Sequence, residues 1–259
     1  MGVLRDIDET QAPLMDHLVE LRTRLLRSVF VLAIAFGVCF YFADQILAFL
    51  ARPLANAFPD GQGKLVYTKL YEVFFVEMKV ALFAAFCVSF PFIANQMWAF
   101  VAPGLYRNEK KLVAPLLLSS TLLFYAGMAF AYFVVFPIAF AFFNSVAPEG
   151  VTVSTDISSY LNFVLKLFFA FGVSFEIPIA IILLCWTGVT DAKSLRAKRP
   201  YVVVGAFILG MLLTPPDIIS QTLLAIPMWF LFEVGVIVGG LYAGKTKQSD
   251  DESVENVSE

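Results

Sequence analysis

The chain has 259 residues, of which 59% are hydrophobic and only 15% are charged. Soluble domains are typically about 45–50% apolar and about 25% charged, so the composition excludes an ordinary soluble domain and predicts a polytopic membrane protein. The net charge of −3 provides no excess of basic residues for a nucleic acid. We therefore expect contact with the lipid bilayer and no nucleic-acid partner.

The N-terminal segment and the cysteines show no pattern of a signal peptide, a metal site or a disulfide framework. Residues 1–23 are polar and of mixed charge, without the short apolar core and cleavage site of a signal peptide. Cys39, Cys87 and Cys185 lie inside apolar runs, where a thiol behaves as a small hydrophobic group. Their spacing matches neither a metal site nor a disulfide framework, and we expect no metal or other cofactor.

Six apolar runs predict six transmembrane helices, in a membrane domain that covers residues 24–243. A helix needs roughly 20 apolar residues to cross about 30 Å of hydrocarbon. The fifth run is short, because Arg199 to Pro215 spans roughly 22–24 Å at 1.5 Å per residue. Such a helix should thin the bilayer locally or lie recessed beside its neighbours. The six predicted helices cover residues 28–43, 73–101, 112–148, 157–187, 200–213 and 218–242.

The basic residues predict the orientation of these six helices. Lysine and arginine accumulate in the cytoplasmic loops of membrane proteins. With six spans, 13 of the 18 basic residues fall on the side that holds both termini, two fall within spans, and the opposite side holds only Arg52, Lys64 and Lys69. Both termini are therefore expected in the cytoplasm.

Some local features are also predicted from the sequence. Pro53 should break any helix in the first outer loop, residues 44–72, and Thr155 or Asp156 should cap the fourth span. Gly235 and Gly239 have the small-xxx-small spacing of helix contacts, which is a common pattern. The acidic tail, residues 244–259, lacks apolar periodicity and is predicted to be disordered in the cytoplasm.

The side chains required for membrane catalysis are missing from the predicted spans. A membrane serine protease needs a histidine within its spans, but the single histidine, His17, lies in the N-terminal segment. An aspartyl membrane protease needs two aspartates within its spans, but Asp217, at a helix junction, is the only nearby candidate. The sequence has no phosphate-binding loop of the Walker type. We therefore expect a binding or transport protein rather than an enzyme.

Two acids, Glu20 in "HLVELRTRLL" and Glu109 in "PGLYRNEKK", lie on the predicted cytoplasmic side. One interpretation is structural: Glu20 pairs with Arg24 at i,i+4 for about 0.3–0.5 kcal/mol, and Glu109 lies in the first turn of a helix that Asn108 caps. The other interpretation is a receptor for paired arginines, because carboxylates match guanidinium groups bidentately. The spacing does not decide between them.

Charged residues within spans are costly unless they are paired, hydrated or neutralised. Glu176 is nearly three turns, about 15 Å, from Lys166 and should not pair with it. Pro178 follows Glu176 in "SFEIP" and is expected to kink the fourth helix. Helix packing and a hydrated polar face are both open as roles for this set, which comprises Glu77, Lys79, Lys166, Glu176 and Glu233.

Several long motifs resemble the TatC family of the twin-arginine protein translocation system. They occur in the family's order, from about Leu14 to Leu241. The motifs are "HLVELRTRLL", "FVAPGLYRNEKK", "SFEIP", "KRPYVVVGAFILGMLLTPPD" and "SQTLLAIPM". The resemblance implies an all-α membrane fold of six helices in a cupped, glove-like bundle, with both termini inside and short fifth and sixth helices.

The resemblance also implies a function and its residues. The family binds twin-arginine signal peptides of folded precursors at the bacterial cytoplasmic membrane, and export is driven by the proton gradient. Glu20 and Glu109 match the acids that contact the arginine pair, while Arg22, His17, Phe100 and Tyr106 match positions on the same surface. A docking region for TatA-type and TatB-type single-span partners is matched by Met211, Thr214 and Gln221. Self-association in a receptor complex is expected as well.

Two other functions fit the residues less well. A proton-coupled small-solute transporter would use Glu176 and Lys79, but this class typically has internal repeats and broken helices near the midplane, and we find no repeat. A membrane scaffold without a ligand would leave Glu20 and Glu109 without a role in export.

Overall fold

The computed structural model describes residues 3–57, 64–101, 113–146, 154–214 and 218–255. These described residues are helical, apart from turns and one small sheet. The longer helices are α1 (Val3–Tyr41), α2 (Ala43–Ala57), α3 (Glu72–Val101), α4 (Val113–Phe130), α5 (Phe136–Val146), α6 (Ile157–Ser174), α7 (Ile177–Trp186), α9 (Arg199–Leu213) and α10 (Ile218–Glu255). A π-helical segment (Ala131–Val135) joins α4 to α5, and the short α8 (Ala192–Ala197) precedes α9.

Within the described ranges, five helical stretches are long and apolar enough to cross a membrane. They are Leu18–Tyr41, Glu72–Phe100, Pro115–Val146, Ile157–Trp186 and Ile218–Leu241. Each overlaps a predicted span, and α9 is a shorter apolar helix of 15 residues, as its sequence predicted.

The last helix differs from its prediction. The predicted bounds of the sixth span, 218–242, agree with the apolar stretch Ile218–Leu241, but the short sixth helix that the resemblance implies was wrong, because this stretch has 24 residues and is about 36 Å long at 1.5 Å per residue. The helix also continues to Glu255, through a segment for which we predicted disorder. Once a helix is nucleated, each further residue adds one backbone hydrogen bond, so a polar segment is able to extend it.

The chain forms two compact units. The first consists of residues 1–47 and 77–121, and the second of residues 48–76 and 122–259. In the first unit, Cys39 and Ala43 form a buried cluster with Ala81 and Ala85 of α3. Small side chains allow two helix backbones to approach closely in a membrane, so this cluster sets the contact between α1 and α3.

In the second unit, α2 continues through Pro53, and the predicted break there was wrong. Proline has no N–H to donate to the carbonyl of residue 49, four residues earlier. The hydroxyl of Tyr132 donates to the Phe49 carbonyl at 3.2 Å, and the hydroxyl of Tyr160 donates to the Leu50 carbonyl at 2.7 Å. Tyr132 also stacks on Phe49, with ring centroids 4.6 Å apart. The Tyr132 hydroxyl thus replaces the backbone donor that Pro53 lacks, the Tyr160 hydroxyl adds a second contact one residue further along, and the helix persists.

Two later prolines change the helices in other ways. Before Pro137 the backbone widens into the π-helical segment, in which the Phe136 N–H donates to the carbonyl of Ala131, five residues earlier. Before Pro178 the fourth span divides into α6 and α7 at Phe175 and Glu176. This second change agrees with the kink predicted from "SFEIP".

A two-stranded parallel sheet, which the sequence did not predict, pairs β1 (Lys64–Val66) with β2 (Ser154–Asp156). Asp156 ends β2 and caps α6, accepting a hydrogen bond from the Ser159 N–H at 2.8 Å, which confirms the predicted cap. Hydrogen bonds from the side chain and backbone of Ser159 lower the pKa of the Asp156 carboxyl. The Thr68 hydroxyl lies 3.2 Å from Asp156 Oδ1 and 3.1 Å from Glu72 Oε2, so it connects the sheet to the start of α3.

Helices α7 and α10 pack at the predicted small-residue pattern. A Cβ atom at Gly235 would lie 2.9 Å from the Cα atom of Pro178 and 2.8 Å from Ile181 Cδ1. A Cβ atom at Gly239 would lie 3.1 Å from the Cys185 sulfur. Glycine at 235 is therefore required for the close approach of the two helices.

We predict that Tyr132→Phe and Tyr160→Phe each lower the free energy of unfolding by about 1 kcal/mol. Each change removes a hydroxyl that satisfies a carbonyl of α2 beside Pro53 and keeps the ring. Thermal unfolding in detergent measures the effect, with Tyr41→Phe as control, because Tyr41 is 80% exposed. Equal stability of all three variants would show that these hydroxyls do not support α2.

Candidate functional site

The candidate binding site begins at Glu20 on α1. Arg24, one turn later, donates to Glu20 Oε1 from Nε at 2.9 Å and from a terminal nitrogen at 2.5 Å. This is the i,i+4 pair that the structural interpretation predicted. Both bonds end on one carboxylate oxygen, so the pair lacks the two parallel bonds of a bidentate carboxylate–guanidinium contact.

The Glu20–Arg24 pair is partly accessible to solvent. The Glu20 side chain is 35% exposed and that of Arg24 is 22% exposed. Exposed ion pairs on a helix contribute little net energy, about 0.3–0.5 kcal/mol. Glu20 therefore holds a guanidinium group in the described structure, but only weakly.

Arg24 also reaches from α1 to α3. A terminal nitrogen of Arg24 lies 3.4 Å from Gln96 Oε1, which places Glu20 near the last turns of α3. Phe100, in the final turn of α3, is partly buried. Sequence reasoning missed the contact with Gln96, because the two residues are 72 positions apart and no pattern in the sequence connects them.

The other residues predicted for this surface are described only in part. Arg22 is exposed on α1, and the backbone at His17 is helical. Glu109 and Tyr106 lie outside the described residues, in the segment 102–112 that follows α3.

The predicted partner-docking residues fall into two kinds. Met211 is 57% exposed on α9. Gln221 instead donates from Nε2 to the Phe207 carbonyl at 2.8 Å, and Thr214 donates its hydroxyl to the Gly210 carbonyl at 2.8 Å. Helices α9 and α10 approach each other closely at this point, since a Cβ atom at Gly210 would lie 2.9 Å from Gln221 Cγ. Thr214 and Gln221 thus make contacts within the α9–α10 hairpin, while Met211 faces outward.

The charged residues within the spans also have different environments. Lys79 and Lys166 are exposed, and Glu176 is partly buried at the break between α6 and α7. Glu233 of α10 accepts a hydrogen bond from Arg199 at 2.5 Å. Sequence reasoning identified Glu233 as a costly charge but missed its partner, which lies 34 residues away.

Comparisons with known proteins agree on one family. The family model for TatC, the Sec-independent protein translocase protein, matches residues 16–227. The TatC protein of Haemophilus influenzae is 54% identical over 250 residues, which cover 96% of this chain and 95% of that protein. The TatC protein of Escherichia coli K12 is 54% identical over 245 residues, 95% of this chain and 94% of that protein.

A solved structure agrees with these sequence matches. A crystal structure described as the twin arginine translocase receptor TatC superimposes with a TM-score of 0.80 at 38% sequence identity. The match covers 87% of this chain and 99% of the other. The similarity thus extends over nearly the whole length of that receptor.

We predict that Gln221→Ala lowers the free energy of unfolding by about 0.5–1.5 kcal/mol, the usual contribution of one hydrogen bond, because the Phe207 carbonyl loses a donor. Met211→Ala should change stability by less than about 0.5 kcal/mol, as is usual for exposed positions. Thermal unfolding in detergent compares the two variants. An equal loss in both would contradict the division into inward and outward residues.

Proposed function

The chain belongs to the TatC family and is a receptor subunit of the twin-arginine translocase, and from this premise we propose that it binds twin-arginine signal peptides through Glu20 and Glu109. It is a transport component and not an enzyme. In this proposal the two carboxylates lie at the cytoplasmic face and bind the guanidinium groups of consecutive arginines. Folded precursor proteins that carry the signal are then exported across the bacterial cytoplasmic membrane.

The observation that carries the proposal is the contact between Glu20 and Arg24. Glu20 already accepts two hydrogen bonds from a guanidinium group, at 2.9 and 2.5 Å. Both come to one oxygen, and the pair is partly exposed. An arginine of the peptide that engages both oxygens would form a stronger, bidentate contact. We infer that Arg24 occupies Glu20 in the free receptor and gives way when the signal peptide binds.

We further propose six spans with both termini in the cytoplasm. The distribution of 13 basic residues against three supports this orientation. The fifth crossing in chain order is α9, whose 15 residues extend about 22 Å, so the bilayer is thinned beside it. The cupped bundle that the family resemblance implies remains part of this proposal, as do the cytoplasmic segments 1–23 and 244–259.

The proposed partners are TatA-type and TatB-type single-span proteins, together with other copies of the chain. An exposed apolar stripe on α9 supports docking of a partner helix. Its members recur at helical spacing and are Tyr201, Val204, Ile208 and Met211. We assign direct contact to Met211, whereas Thr214 and Gln221 act by holding the α9–α10 hairpin that presents it. The proton gradient is the proposed driving force, and Glu176 contributes a hydrated polar position within the membrane.

We predict that Glu20→Gln and Glu109→Gln each weaken crosslinking to a twin-arginine peptide by about tenfold or more. Each removes a charge-assisted bond of roughly 1.5–3 kcal/mol. The peptide should crosslink when added to inverted membrane vesicles, which expose the cytoplasmic face, and not when added to right-side-out vesicles. Asp44→Asn is the matched control, since Asp44 is an exposed acid beyond the other end of α1.

A second peptide tests the bidentate contact. A lysine–lysine peptide keeps the charge but cannot form two parallel hydrogen bonds with one carboxylate, so it should crosslink poorly. Equal crosslinking of both peptides would contradict recognition of the guanidinium group. Full crosslinking of the twin-arginine peptide to both glutamine variants would contradict the proposed site itself.

A further inference from the structure

The first unit contains an apolar groove that the proposed function does not use. The groove lies between α1 and α3 and has a volume of about 360 Å³. Its walls are apolar apart from one charged side chain, that of Lys79. The lining residues are Val29, Leu32, Ala33, Phe36, Met78, Lys79 and Leu82.

The groove has a defined direction relative to the membrane. The cluster of Cys39 and Ala43 with Ala81 and Ala85 pairs the end of α1 with the beginning of α3. Lys79 lies seven residues after the first residue of α3, about 10 Å along the helix, whereas Val29 lies twelve residues before the end of α1, about 18 Å. Lys79 is therefore at the shallow end of the groove and Val29 at the deep end.

A lysine at this depth is able to reach the polar boundary. Its four-carbon stem lies along apolar surface while the ammonium group extends toward the headgroup region. The Lys79 side chain is exposed. A positive charge therefore lies near the membrane surface, at the end of an apolar groove that runs toward the bilayer centre.

We propose that this groove binds an anionic phospholipid, with its phosphate at Lys79 and one acyl chain between α1 and α3. A lysine ammonium binds a phosphate group as a point charge, and the groove supplies both the charge and the apolar lining in the order in which a lipid presents them. The bilayer provides this ligand wherever the protein resides. An occupied groove would also cover part of α1, whose apolar span is almost entirely exposed in the described structure.

Native mass spectrometry of the purified chain with phosphatidylglycerol tests the proposal. We expect Lys79→Gln to bind phosphatidylglycerol about tenfold or more weakly than the original chain, and Lys79→Arg to keep most of the binding. Lys166→Gln is the matched control, because Lys166 is also an exposed lysine within a span but does not line the groove. Phosphatidylcholine, which carries no net charge, should bind weakly to every variant.

A second substitution tests the acyl chain separately. Ala33→Phe keeps Lys79 and fills the groove from an exposed position of α1, so it should also reduce phosphatidylglycerol binding. The proposal is overturned if Lys79→Gln and Lys166→Gln bind the lipid equally, or if phosphatidylcholine binds the original chain as well as phosphatidylglycerol does. Either outcome would show that Lys79 does not select the lipid.

Discussion

The contact between Glu20 and Arg24 is the interaction on which the functional account depends. A carboxylate at the membrane boundary needs a counter-charge, and the helix provides one at i+4. Arg24 uses a single oxygen of Glu20 and reaches Gln96 of α3 at the same time. A structural pair and a receptor site are therefore compatible interpretations. The same contact is weak enough to leave Glu20 able to exchange partners.

The rest of the fold reflects the requirement that backbone polar groups in a bilayer be satisfied within the protein. Several prolines lie within the described helices, and three of them are accommodated in different ways. At Pro53, the hydroxyls of Tyr132 and Tyr160 donate to the carbonyls of α2. Before Pro137 the helix widens into a π-helical segment, and before Pro178 it ends and restarts. The break places Glu176 at a position where a polar side chain interrupts an apolar span.

The sequence predicted features that depend on composition or on near neighbours. Span positions follow from apolar length, the Asp156 cap from its residue type, and the break at Glu176 from Pro178. The sequence did not predict contacts between distant positions: Tyr132 with Phe49, Arg199 with Glu233, and the pairing of β1 with β2. Those contacts depend on how helices pack, which no local pattern encodes. The proposed role of Glu109, which lies outside the described residues, rests on the family resemblance alone.

Binding of a twin-arginine peptide to Arg24→Gln tests most directly whether Glu20 exchanges one guanidinium partner for another. Removal of a competitor worth about 0.3–0.5 kcal/mol should tighten binding about twofold, and the gain should disappear when Glu20→Gln is also present. Titration of the purified receptor with a labelled peptide measures both affinities. Weaker binding by Arg24→Gln, or an equal gain in the absence of Glu20, would contradict the account.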